Sequence, residues 1–151
     1  MQTRRETLKQ SAVVAGLLAS AGFPQFAQAA FNKVAFDAKT VQDAVKAAGG
    51  AGLAESKDVA ITAPDIAENG AVVPLGASTT LAGVKQLLIL VEKNPASLVA
   101  MFHVNDSIEA NFLTRAKMGQ SSDVYAVAIM ADGKAFFAKK EVKVTLGGCG
   151  G

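Results

Sequence analysis

The only cysteine in this chain, Cys149, stands between Gly147-Gly148 and Gly150-Gly151. No neighbouring side chain shields the thiol, and the flanking glycines reach backbone conformations closed to other residues. A flexible arm of this kind, counted from Leu146, could hold the sulfur about 10 Å clear of a folded body. A frayed terminus or an added tag would also end in this way. An exposed free cysteine in an exported protein, however, invites disulfide cross-linking, so its survival at the most exposed position points to use. Catalytic thiolates are stabilised by a helix N-terminus, a histidinium or a close cation. Here the nearest cation in sequence is Lys143, and the carboxylate of Gly151 opposes ionisation. The thiol is therefore a weak nucleophile by itself and suits a handle that other proteins' active sites modify.

Other chemistry finds little support. His103 is the only histidine and sits in an apolar run (Met101, Phe102, Val104), which predicts a structural role, since a metal site needs several ligands. Asp65 and Glu68 bracket Ile66-Ala67 beside Asn69-Gly70 and read as turn or capping residues. No serine lies in a nucleophile-elbow context, and one histidine cannot serve a hidden triad convincingly. A C-x-x-C redox pair is absent. The terminal glycines are not a phosphate loop, because no helix follows them. No catalytic residue, metal or cofactor is expected.

The segments that must carry the arm follow from patterning. Residues 1–29 read as a twin-arginine-type export signal: Arg4-Arg5 precede an uncharged run from Ser11 to Phe23, Pro24 breaks it, and Ala27-Gln28-Ala29 is a small-residue cleavage site. Thr7 stands where Phe is most common, which leaves a Sec route open. Cleavage after Ala29 removes Arg4, Arg5 and Lys9 from the 15 basic residues and Glu6 from the 13 acidic ones, so the mature chain has no net charge. Without a basic surplus, nucleic-acid binding is not expected, nor is a membrane anchor once the signal is removed. A location outside the cytoplasm is. One cysteine excludes an intramolecular disulfide, so the fold must hold by packing.

Residues 30–146 are expected to form one domain, with 147–151 as the arm. Val41, Ala44, Val45 and Ala48 make one apolar stripe, predicting a helix over about 37–48 that Gly49-Gly50 stop. Gly49 to Asp58 reads as a loop. Strands are predicted near Val59 to Ala63, Val72 to Leu75, Gly83 to Glu92, Leu98 to Val104, Ile108 to Met118, Val124 to Met130, Lys134 to Ala138 and Glu141 to Thr145. Ile108, Ala110, Phe112, Ala116 and Met118 form the buried face of one of them. Asp132-Gly133 marks a two-residue hairpin. The expected fold is all-β: an antiparallel immunoglobulin-like sandwich with an N-terminal helix and a flexible C-terminal arm. The alternating last strand, Glu141 to Leu146, should launch the arm from a fixed edge.

Several motifs resemble the SoxY family of the periplasmic Sox thiosulfate-oxidising system. They are the twin-arginine start, Ala63-Pro64-Asp65-Ile66-Ala67-Glu68-Asn69-Gly70-Ala71-Val72-Val73-Pro74, Asn94-Pro95, Lys117-Met118 with Ser121-Ser122, and Val142-Lys143-Val144-Thr145 leading to Gly-Gly-Cys-Gly-Gly. The resemblance implies a non-enzymatic carrier that holds sulfur intermediates covalently on Cys149. It implies a heterodimer with a SoxZ-like subunit, and transient visits to SoxAX-like, SoxB-like and sulfane-dehydrogenase-like enzymes. The apolar run Leu87 to Val91 is a candidate for the SoxZ interface. The alternative is a non-catalytic β-sandwich binding module whose terminal cysteine is incidental or forms an intermolecular disulfide.

Overall fold

The Asn32 side chain accepts a hydrogen bond from the Ala35 amide at 3.1 Å and so caps a short helix, α1 (Lys33–Asp37). Thr40 does the same for Asp43 at 3.1 Å and starts α2 (Val41–Ala47). The helix expected over 37–48 is therefore shorter, beginning at Val41, and α1 is a second helix that precedes it. Ala38 between them is extended, and its carbonyl accepts from the Ser97 amide at 3.0 Å, tying the break to the sheet. The expected stripe is buried, with Val41, Ala44, Val45 and Ala48 all under 8% exposed. Gly49, at φ +94°, stops α2 in the left-handed conformation that favours glycine.

The computed structural model describes residues 31–145. Both the expected signal segment 1–29 and the arm 147–151 lie outside them. Nine strands follow the helices: β1 (Ala51–Glu55), β2 (Val59–Thr62), β3 (Ile66–Ala67), β4 (Val73–Thr79), β5 (Val84–Val91), β6 (Leu98–His103), β7 (Asn111–Ala116), β8 (Ser122–Met130) and β9 (Lys134–Val144). A large sheet has the order β1-β9-β8-β5-β6, with β3 also on β9, and a small sheet has the order β2-β4-β7. The two sheets form the expected sandwich. Its core joins Val73, Leu75 and Ala77 of the small sheet to Leu87, Ile89, Val91, Val124, Ala126 and Val142 of the large one. Pro74, which has no amide proton, sits where β4 pairs with β7 but lies beyond the reach of β2.

The large sheet is covered on both faces. Leu88 and Leu90 point away from the sandwich core and pack with Val127, Ile129, Ala44 and Val45 under the helices. Leu87 to Val91 are all 0% exposed, so this run is filled by the chain itself and offers no face to a partner. That corrects its reading as a candidate SoxZ interface. A strand with two buried faces loses its alternation, which is why the sequence could not separate core from interface.

Other departures have local causes. The stretch read as a loop after Gly49 holds β1, which pairs in parallel with the start of β9. Three of its five residues are Ala or Gly and four are exposed, so no alternation betrayed it. The two predicted final strands are one, because Lys139-Lys140 continue the ladder opposite Tyr125 and Val124. The hairpin before it has a three-residue connection, Ala131 to Gly133, closed by Gly133 at φ +87°. The strand predicted over Ile108 to Met118 shortens to β7; Ala116 and Met118 are buried, but Ile108 is 44% exposed.

Candidate functional site

Cys149 and the glycines Gly147, Gly148, Gly150 and Gly151 lie outside the described residues. The structure describes the root from which they continue. β9 is an interior strand, not the fixed edge expected: β8 flanks one side, and β1 and then β3 flank the other. Val142 at its end is fully buried, while Lys143 and Thr145 are exposed, which is the alternation the sequence predicts.

Residues 63–74, one of the quoted motifs, grip this end of β9. Ile66 and Ala67 form β3, parallel to Lys143 and Val144. The Lys143 amide donates to the Asp65 carbonyl at 3.0 Å, and the Thr145 amide donates to the Ala67 carbonyl at 3.1 Å. The Thr145 hydroxyl adds a bond of 3.3 Å to the Glu68 carbonyl. Asp65 and Glu68 therefore belong to a paired segment and are more than the turn or cap expected. Lys140 Nζ donates to the Ala63 carbonyl at 2.6 Å and pairs with the Asp65 carboxylate at 2.9 Å. Its hydrogen bond, and then its charge, hold the Asp65 carboxyl below the usual carboxylate range. Asn69 closes the turn by accepting from the Ala71 amide at 3.0 Å. Gly70 follows, packed so closely that a β-carbon there would lie 2.8 Å from Val144 Cγ1 and would overlap the Met118 carbonyl.

The remaining structured motifs converge on the same end. Ser121 Oγ accepts from the Val144 amide at 2.9 Å. Met118 is buried, and its amide donates to Gly70 at 2.7 Å. Asn94 Nδ2 donates to the Lys117 carbonyl at 2.8 Å, and Ser122 Oγ accepts from the Lys93 amide at 3.0 Å. Segments far apart in sequence thus form one hydrogen-bonded collar around the root. Ser121 on one side and Ala67 on the other satisfy the last backbone groups of β9. The tasks of Ser121 and Lys140 are not legible in the sequence, because neither pairing has a short-range signal.

His103 is exposed at the end of β6, opposite Gln86 and at the far end of the sheet from the collar. It packs into no core. Among the described residues, no group of three or more His, Cys, Asp or Glu is placed to hold a metal ion. A groove of about 440 Å³ between α2 and β1 is lined by residues such as Gln42, Val45, Lys46 and Leu53, none of them a thiol, hydroxyl, imidazole or carboxylate. No helix among the described residues is long and apolar enough to cross a membrane.

Comparison with known proteins gives a consistent result. The family model described as sulfur oxidation protein SoxY matches residues 44–149. A solved structure of the sulfur carrier protein SoxY from Chlorobium limicola f thiosulfatophilum is 33% identical, with a TM-score of 0.64. The match covers 71% of this chain and 97% of that one. A superoxide reductase (neelaredoxin) from Ignicoccus hospitalis, at 17% identity and a TM-score of 0.51 over 58% of this chain and 80% of its own, shares the fold alone. Among curated proteins there is no match. The chain belongs to the SoxY family of sulfur oxidation proteins.

Proposed function

We propose that this protein is a non-enzymatic carrier that holds sulfur intermediates covalently on Cys149 while partner enzymes act on them during thiosulfate oxidation. The observation that carries the reading is the family match, which runs to residue 149 and so takes in the only cysteine. The collar supports it: β9 ends in a fixed, doubly hydrogen-bonded root, from which a glycine-flanked thiol can be presented to another protein.

The chemistry this asks of the thiol is modest. In loading, the Cys149 sulfur forms a bond to the outer sulfur of thiosulfate, with loss of the thiol proton and transfer of two electrons to the loading enzyme. Hydrolysis then gives sulfate and leaves a persulfide on Cys149, with water supplying the oxygen. Loading belongs to a SoxAX-like enzyme, hydrolysis to a SoxB-like one, and removal of the remaining sulfur to a sulfane-dehydrogenase-like one. Slim glycines let the adduct enter narrow channels, and covalent attachment keeps reactive sulfur species from escaping. In this reading the carrier pairs with a SoxZ-like subunit and works in the periplasm after twin-arginine export.

Intact mass spectrometry of the mature protein from cells grown on thiosulfate tests this. Reducible additions of sulfane or thiosulfate groups, mapped to the C-terminal peptide, are expected. An unmodified thiol throughout would favour the binding-module alternative.

A further inference from the structure

Given the carrier role proposed above, we infer that the exposed apolar pair Ile66 and Val72 is the surface on which an arm-loading enzyme seats the rim of its active-site channel. The length of the arm forces contact at this place. Thr145 is held on Ala67, and from there to Cys149 four residues span at most about 14 Å when fully extended. An enzyme that works on the thiol inside a channel must bring the mouth of that channel up to Thr145. The surface around Thr145 is then inside the contact.

The collar supplies that surface. Ile66 pairs with Lys143 in the β3–β9 seam and is 57% exposed. Val72, 51% exposed, lies two residues beyond Gly70, which abuts Val144, and its amide donates to the Asn69 carbonyl. Both belong to the segment that grips the root, and both leave more than half of their side chains in water, so the core gains little from them. Lys143, the ladder partner of Ile66, and Glu68, two residues after it, are exposed, carry opposite charges and set up no single-sign field to select a partner. Apolar contact is left to do so. Such contact is non-directional, so it asks no matching hydrogen-bond pattern of the enzyme that loads the arm. The partner is thus an enzyme with an aliphatic or aromatic rim around a channel no deeper than about 14 Å.

The test uses the complete chain carrying Ile66→Ser and Val72→Ser together, incubated with thiosulfate and periplasmic extract of thiosulfate-grown cells. Loading of Cys149 is followed by intact mass. Unchanged melting temperature, an unchanged rate of maleimide labelling and unchanged pairing with the SoxZ-like subunit establish that fold, thiol and heterodimer are intact, and lost pairing would overturn the docking role by assigning the two residues to that subunit's interface. Leu113→Ser, on the outer face of the small sheet, controls for loss of an exposed apolar residue elsewhere. At low carrier concentration the double variant is expected to load at least tenfold more slowly than wild type, recovering towards saturation, while Leu113→Ser loads normally. Equal rates for wild type and double variant at low concentration would overturn the docking role alone. A wild-type chain that takes up no sulfur would overturn the carrier role and the docking role with it.

Discussion

Lys140 and Asp65 form an ion pair of 2.9 Å across the seam where β3 lies parallel to β9. The same ammonium binds the Ala63 carbonyl, so one side chain holds the start of the gripping segment against the strand that leads into the arm. Because the Asp65 carboxylate is exposed, its contribution to global stability is small. Its effect is local.

That locality gives a pH prediction. The hydrogen bond from Lys140 lowers the Asp65 carboxyl below its ordinary value of 3.8. A lowered folded-state value means that the contribution is complete above 3.8 and is lost as pH falls through the depressed value. The amide resonances of Lys143 and Thr145 should therefore shift with an inflection below pH 3.8, and Asp65→Asn should abolish that inflection. An inflection that survives in Asp65→Asn would assign it to another carboxylate.

Gly70 offers a steric test. A side chain at this position meets Val144 and the Met118 carbonyl, which cannot move away cheaply. Gly70→Val should cost about 1–3 kcal/mol in urea unfolding, as overpacking does. Gly119, where a β-carbon would meet nothing within 4 Å, should tolerate alanine with little change.

Ser121→Ala removes the acceptor of the Val144 amide. A partly buried donor left without a partner costs roughly 1–3 kcal/mol. The loss should appear as faster hydrogen exchange at Val144, ahead of any change in the sandwich core.

In the core, Leu88 is fully buried between the helices and the large sheet. Leu88→Ala should destabilise by about 2–5 kcal/mol. Leu113→Ala, at a site 74% exposed, should change the urea midpoint by almost nothing.

Cys149→Ser should leave the thermal melt unchanged and abolish thiosulfate-dependent respiration in a strain that carries only this copy. Retained respiration would contradict the carrier role.

The sequence by itself determined what depends on neighbours along the chain. The stripe of α2, the stop at Gly49, most of the strands and the isolation of Cys149 among glycines follow from periodicity and residue type within a few positions. The tertiary structure decided what depends on distant partners. β1 is a strand only because β9 lies beside it in parallel, and its mostly small, mostly exposed residues carry no pattern of their own. Leu87 to Val91 could be recognised as buried, but only the packing of α2 on the large sheet shows that the chain itself covers both faces. The collar is the clearest case: Asp65 with Lys140, Gly70 with Met118 and Ser121 with Val144 are contacts between separate segments. Hydrogen bonds and close packing of this kind leave no periodic trace in a sequence, because they constrain single positions whose partners are fixed only when the two sheets close.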